Sequence, residues 1–490
     1  MSIKKLVSQT ATYGLTTIIV RFINYFLTPY FTNLAIFTRS VYGVMGYYYS
    51  IIPFGLTLLS MGLETGYFRF VGKCETQKEK DKIFNTLLST VGLISILFFI
   101  IVTSFTDKIY ILLEGEKAGN KILIPIVAAI IAVDVIMSMP FAKLRYEGKT
   151  RKFMYIKVAN VVVNIGFCLF FYSILPILSS KGILTSLWDE NFGSGYVFVA
   201  NLIASFTSLA MISGEMRGYK FTIDKKILRT IFIFSLPLFI SGLSGTANEF
   251  IDRQLLYFLL PGNIATAEIG IYTAIMKIAA FIYLFIQMYR YAAEPYFLSE
   301  VKNSDFKERN AQALKYFTIA SLSIFLFITL FIDYFQYFIG KEFRVGLQIV
   351  PVLLLSNVLV GIYLNLSYWY KVSEKTYFAV IISLAGLIIT IALNILLIPL
   401  WGYVGAAWAR LGCEAAMVIL SYILNQKFMP VNYDIKSIGK YALLVGMLYG
   451  GFSLLDLNEG FIKTSVAILF FITFVGYFVY QEKLFKRYIK

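Results

Sequence analysis

Apolar positions in this chain run in long unbroken blocks, with polar residues gathered between them. Fourteen such blocks fall near 11–36, 42–68, 84–105, 122–142, 154–178, 195–213, 231–260, 267–290, 316–339, 345–370, 378–400, 404–426, 441–456 and 464–480. A helix needs about 20 apolar residues to cross the ~30 Å hydrocarbon layer, and most of the blocks meet that length. The connections are short, which leaves no room for a soluble domain. The pattern predicts an all-α integral membrane protein of 14 transmembrane helices.

Composition strengthens that reading. The 490 residues are 58% hydrophobic and 15% charged, with a mean hydropathy of +0.73. Soluble domains carry roughly 45–50% apolar and 25% charged residues. Histidine is absent, which excludes His acid–base chemistry, His metal sites and His pH switching. Cys74, Cys168 and Cys413 are scattered and odd in number, so they form neither a metal motif nor a disulfide framework. Lys4 and Lys5 precede an apolar run from Ala11 to Phe37 that is too long for a signal-peptide core, so it reads as an uncleaved first span.

The net charge of +16 could indicate nucleic acid, but its distribution argues otherwise. Most Lys and Arg fall in loops that share one side of the membrane. The richest are Lys143 to Lys152 and the run with Arg217, Lys220, Lys225, Lys226 and Arg229. By the positive-inside rule both termini are then cytoplasmic, and the excess charge serves topology and anionic lipid.

An internal repeat appears in register. Pro125 precedes Lys149-Thr150 by the same interval as Pro351 precedes Lys375-Thr376, and Tyr42-Gly43-Val44-Met45 corresponds to Ile269-Gly270-Ile271-Tyr272. Two parallel six-helix halves in pseudo-twofold arrangement follow, with expected boundaries at 1–215 (spans 1–6) and 216–428 (spans 7–12). Residues 429–490 add spans 13 and 14 and a cytoplasmic tail.

With its two lobes in place, the chain resembles the Wzx-type polysaccharide transporters of the multidrug/oligosaccharidyl-lipid/polysaccharide exporter superfamily, whose fold is MATE/MurJ-like. The local likeness lies in Gly270-Ile271-Tyr272-Thr273-Ala274 with Lys277, and in Gly340-Lys341-Glu342-Phe343. It extends to Asn394-Ile395-Leu396-Leu397-Ile398-Pro399 and Gly402-Tyr403-Val404-Gly405-Ala406-Ala407. The resemblance implies a flippase, not an enzyme. Its cargo would be an undecaprenyl-diphosphate-linked oligosaccharide (an O-antigen, capsule or exopolysaccharide repeat unit), carried over the bacterial inner membrane by alternating access. Implied partners are that lipid-linked oligosaccharide, membrane lipids and the polysaccharide polymerase and chain-length machinery. A monomer, no nucleic acid and no cofactor are expected, with coupling to H⁺ or Na⁺. Lipid II flippases of the superfamily use basic residues in spans one, two and eight; Arg21 and Lys277 match spans one and eight, whereas Arg69 sits at the cytoplasmic end of span two.

Charges inside the spans are the candidate site. Each costs roughly 2.5–3.5 kcal/mol on insertion scales, so such residues face a bundle interior or a wet cavity. Arg21 and Lys277, with Arg253, are expected to neutralise a diphosphate, and a guanidinium offers it bidentate geometry. Tyr48, in Tyr47-Tyr48-Tyr49, is a candidate for stacking on sugar. With no histidine, coupling falls to carboxylates: Asp252 and Glu249, which share a helix face, Glu64 beside Gly62 and Gly66, and Asp134, which has no basic residue within a turn. The competing reading of each is a structural ion pair: Arg21 with Glu64, Lys277 with Asp252 or Glu249, Arg410 with Glu414. Lys157 and Arg69 read as edge residues that snorkel. Two other functions compete: a cation or drug antiporter of the same superfamily, which would favour an acidic aromatic cavity, and a membrane polymerase or ligase, which would need a catalytic outer region.

Overall fold

A computed structural model describes residues 22–33, 36–299, 305–373 and 375–482. Arg21 and most of the expected first span lie outside the described residues; the part described contains a short helix, Leu27–Asn33. The principal helices follow in chain order. The first six are α1 (Arg39–Ser60), α2 (Leu63–Val71), α3 (Gln77–Ser104), α4 (Leu123–Tyr146), α5 (Thr150–Leu169) and α6 (Gly195–Ile212). The remainder are α7 (Lys225–Leu259), α8 (Gly262–Ser299), α9 (Phe306–Leu330), α10 (Val350–Leu366), α11 (Tyr377–Phe428), α12 (Ile435–Leu454) and α13 (Phe461–Gln481). Among the described residues, 10 helices are long and apolar enough to span a membrane, or up to 11 if α1 and α2 count as one bent span. The protein is an all-helical, multi-pass membrane protein.

One expected span takes an unexpected form. Span two breaks at Met61 and Gly62, both in the left-handed region (φ 48° and 67°), and α2 leaves α1 at 41°. Spans 11 and 12, expected as separate helices, are two helices that follow one another directly across a kink at Gly402 (φ 56°, ψ −132°). Only glycine reaches that conformation without strain. The Glu268 carboxylate accepts a hydrogen bond from Tyr403 N at 2.7 Å there, capping the restarted helix.

Contacts divide the chain into two compact units, one of residues 1–273 and 377–406, the other of 274–376 and 407–490. In the first, α4 is the central helix: it is largely apolar, and most of it is buried. The long apolar helix α7 runs antiparallel to α1, and polar groups bridge them down their length. Tyr47 stacks on Tyr257 with centroids 4.0 Å apart, Gln254 donates to Ser50 Oγ at 2.6 Å, and the hydroxyls of Thr57 and Thr246 lie 3.1 Å apart. Hydrocarbon provides little drive to bring helices together, so such hydrogen bonds and close van der Waals fit hold them. Glu215, just beyond α6, receives Lys149 at 2.8 Å and Lys152 at 2.6 Å, tying the basic α4–α5 turn to the end of α6.

In the second unit α9 packs between α10 and α12. Glu294 of α8 binds Lys371 at 2.7 Å and Arg290 at 3.2 Å. Glu482 follows α13 and accepts from Lys315 at 2.8 Å and Tyr441 at 3.0 Å. Burial alone would raise the Glu482 carboxyl, but Lys315, Tyr441 and Tyr316 together hold it below its ordinary value.

Candidate functional site

The first unit holds an open-sided cavity of about 490 Å³ lined by α1, α2, α4, α5, α6 and α7. Its size lies within the roughly 300–1,000 Å³ range of small-molecule pockets. Five of these helices contribute polar residues, and α1, α4, α5 and α6 do so at helical spacing. They are Thr57 and Ser60 on α1 with Glu64 on α2, Asp134 and Ser138 on α4, Lys157 and Asn160 on α5, and Asn201, Ser205 and Ser208 on α6. Spacings of three and four put those of one helix on one face, so the lining is a set of polar stripes turned toward one space.

Four charges stand in it. Glu64 forms an ion pair with Arg145 of the last turn of α4. Asp134 accepts from Ser205 at 2.8 Å, and Lys157 supplies the positive charge that acts on it. The Lys157 ammonium also lies 4.2 Å from the Phe141 ring centroid, which offers the cation the negative face of the ring. Asn160 donates to Ser208 at 3.0 Å. The lining is thus polar, two-signed and charge-balanced.

These positions revise several expectations. Glu64 has Arg145 as its partner, so the alternative pairing of Arg21 with Glu64 is not needed to satisfy it. Asp134 indeed lacks a basic neighbour on its own helix and meets one from α5. Lys157 does not snorkel at an edge but faces the cavity, and Arg145, read as part of a cytoplasmic loop, still belongs to α4. Tyr48 does not line the cavity; it is buried (2% exposed), packing against Tyr47 and Phe198 with centroids 5.4 and 5.9 Å away.

The second group of candidates sits on α7 and α8. Asp252 is buried and engages Arg253 at 3.3 Å, and it accepts from Tyr272 Oη at 2.6 Å. The Arg253 guanidinium lies over the Tyr272 ring and reaches the main-chain carbonyl of Glu249 at 3.5 Å. Glu249 is half-buried, and Lys277, further along α8, is half-buried in the second unit. Glu64 and Asp134 therefore share a cavity, while Asp252, Arg253 and Tyr272 form a separate knot. Arg145, Asn160, Asn201, Ser205 and Ser208 were not anticipated. Their signal was present, because polar residues three and four apart inside apolar blocks mark a wet face just as apolar ones mark a core.

The sequence profile of a family described as polysaccharide biosynthesis protein matches residues 6–300. The chain belongs to that family. No curated protein sequence matches it. Among solved structures, the family member is similar to the lipid II flippase MurJ in an inward closed conformation, at 17% identity and TM-score 0.72, over 96% of this chain and 99% of that one. It is also similar to a multidrug resistance MATE family transporter of the MOP superfamily in its inward-facing conformation. That match has 15% identity and TM-score 0.61, over 90% and 96% of the two chains. At these identities the likeness establishes the fold, and the fold is the MurJ/MATE one. These structural neighbours are transporters and flippases, not catalysts.

Proposed function

We propose that this protein is a flippase that moves an undecaprenyl-diphosphate-linked oligosaccharide from the inner to the outer leaflet of a bacterial inner membrane. The observation that carries the reading is the combination of polysaccharide biosynthesis family membership with the lipid-flippase fold over nearly the whole chain. Residues 1–215 and 216–428 act as the two lobes of an alternating-access cycle, residues 429–490 append spans 13 and 14, and both termini are cytoplasmic. The prenyl tail stays in lipid while the head group passes through protein. Arg21 and Lys277 hold the diphosphate. Arg253 already shares its charge with Asp252, so its part is to position the knot at the α7–α8 turn.

Coupling to H⁺ or Na⁺ falls to the cavity carboxylates, Asp134 first and Glu64 second. A carboxylate facing a lysine across a wet cavity can exchange its charge state during a cycle without leaving a lone charge in hydrocarbon. Asp252 and Glu249 serve the α7 knot. The cation/drug antiporter reading is disfavoured by the same charge balance, since each cavity carboxylate faces a base.

The test is the leaflet distribution of lipid-linked oligosaccharide in cells lacking the protein, complemented with wild type or Lys277→Ala. Inner-leaflet accumulation relieved by wild type and not by the variant supports the flippase and its clamp. Unchanged sidedness removes the reading and turns attention to drug efflux.

A further inference from the structure

Away from the cavity, the connection between α5 and α6 builds a platform of stacked rings. A π-helical turn, Phe170–Ile174, follows α5, and a short helix, Leu175–Ser180, completes the span. Such turns are rare and concentrate at functional sites. This one brings two consecutive rings onto Tyr196 of α6: Phe171 stacks on it at 5.2 Å and Tyr172 meets it edge-on at 5.9 Å. The loop adds Trp188, parallel to Tyr196 within 8° at 5.4 Å, and Phe192, edge-on at 4.8 Å. A Cβ on Gly195 would strike the Phe192 ring, so that fold needs glycine. The Tyr196 hydroxyl donates to Leu187 O at 2.8 Å and accepts from Asp189 N at 2.7 Å, fixing the residue on each side of Trp188. Tyr172 Oη donates to Gly193 O at 2.7 Å and ties down the far end. Held from beneath in this way, Trp188 is still partly exposed, and Asp189, Glu190 and Asn191 beside it are exposed. Earlier in the loop Leu184 stands at φ 56°, a strained conformation for leucine of the kind that collects at ligand sites.

We infer that this platform is a sugar-docking site on the outer face, which takes a neutral pyranose of the cargo once it has crossed. The inference rests on the flippase reading and its orientation, in which span five ends at the outer face and the loop stands where the oligosaccharide emerges. A pyranose presents an apolar C–H face and a rim of hydroxyls. The indole of Trp188 offers that face a broad, electron-rich surface, and because the ring is already held, little freedom is lost on binding. Asp189, Glu190 and Asn191 supply carboxylate and amide oxygens for the hydroxyls. With Lys181 as its one base, the loop is net negative, which disfavours a uronate or the diphosphate there and selects an uncharged ring. Ile183 and Leu187, 52% and 55% exposed, suit the boundary between headgroups and acyl chains. They set the loop at the level where the sugar of a prenyl-linked cargo stands. A purely interfacial anchor gains nothing from two carboxylates beside its tryptophan, so the platform fits a saccharide better than a lipid.

The experiment uses the full-length protein in nanodiscs. The probe is the water-soluble oligosaccharide released by mild acid from the lipid-linked pool of the cells that carry the protein. Binding is titrated by saturation-transfer NMR. Trp188→Ala should raise the dissociation constant about fivefold or more, the scale of one lost stacking contact. Trp188→Phe, which keeps a ring, should fall between the two. Trp408→Ala, at an indole 47% exposed on α11, should bind as wild type does. No binding by wild type, or a dissociation constant unchanged in Trp188→Ala, overturns the platform and leaves Trp188 as an interfacial anchor. Should Trp188→Ala fail to accumulate, Glu190→Ala with Asn191→Ala decides the matter, because both side chains are exposed. Weaker binding in that pair supports the platform and unchanged binding overturns it. The titration involves no transport, so the two readings fail separately. Binding lost in Trp188→Ala with unchanged leaflet sidedness keeps the platform and removes the flippase, and the reverse pair of results does the opposite.

Discussion

Asp134 and Lys157 offer the most exacting test of the cavity. Removing one charge leaves the other at membrane depth, and the question is how much they support each other. They form no ion pair within 4 Å, yet each charge acts on the other. With an effective dielectric of about 20, unit charges attract by about 4 kcal/mol at 4 Å and about 2 kcal/mol at 8 Å. Water in a cavity of about 490 Å³ reduces this further, so a coupling of about 1–2 kcal/mol is expected. Asp134→Asn keeps the shape and the Ser205 hydrogen bond, and Lys157→Met keeps the stem on the Phe141 ring, so the two changes remove charge and little else. Each single variant should lose about 1–2 kcal/mol, and the double variant should recover most of one loss. The assay is a double-mutant cycle on unfolding in mild detergent, followed by tryptophan fluorescence. Single effects that add within about 0.5 kcal/mol would refute the claim that the two charges share this cavity.

Further expectations follow from the surrounding structure. Tyr272→Phe withdraws the hydroxyl from buried Asp252 and should cost about 1–3 kcal/mol in the same unfolding assay, a cost that disappears if Asp252 is replaced first. Gly402→Ala forces a side chain into a glycine-only conformation and against the Glu268 carboxylate; a loss of about 2 kcal/mol or more is expected, visible as a lower melting temperature. Because Glu482 is held below its ordinary value, its contribution is complete above the unfolded carboxyl pKa and disappears as pH falls through the folded one. Hydrogen exchange in α13 should therefore rise below about pH 4 in wild type and be raised already at neutral pH in Glu482→Gln. If the two proteins exchange alike at pH 7, Glu482 does not fasten that helix.

Several features of the site are legible in the sequence. The cost of charge in hydrocarbon singled out Asp134 and Glu64, and both line the cavity. It also singled out Asp252 and Arg253, which prove to satisfy one another together with Tyr272 of the Gly270-Ile271-Tyr272 motif. Partners were harder to read than sites. Hydropathy windows average over all faces of a helix, so they place Lys157 near a span end without saying that α5 turns it toward Asp134. For Tyr48 the density of aromatic residues suggested a cavity wall, but ring packing against Tyr47 and Phe198 uses that surface instead.

The sequence by itself determined the class of the protein, the succession of apolar blocks, and the repeat that relates Gly43 to Gly270. The first two depend only on the length and period of apolar runs, which the bilayer imposes on one segment at a time, and the repeat on motif spacing along the chain. The tertiary structure alone decided that the two helices of α11 join at a kink at Gly402, that Arg145 belongs to Glu64 and Lys157 to Asp134, and that repeat-equivalent glycines touch. Those outcomes depend on which faces of separate helices meet. In lipid, that choice is made by close backbone approach and hydrogen-bond satisfaction between helices, quantities no single span encodes.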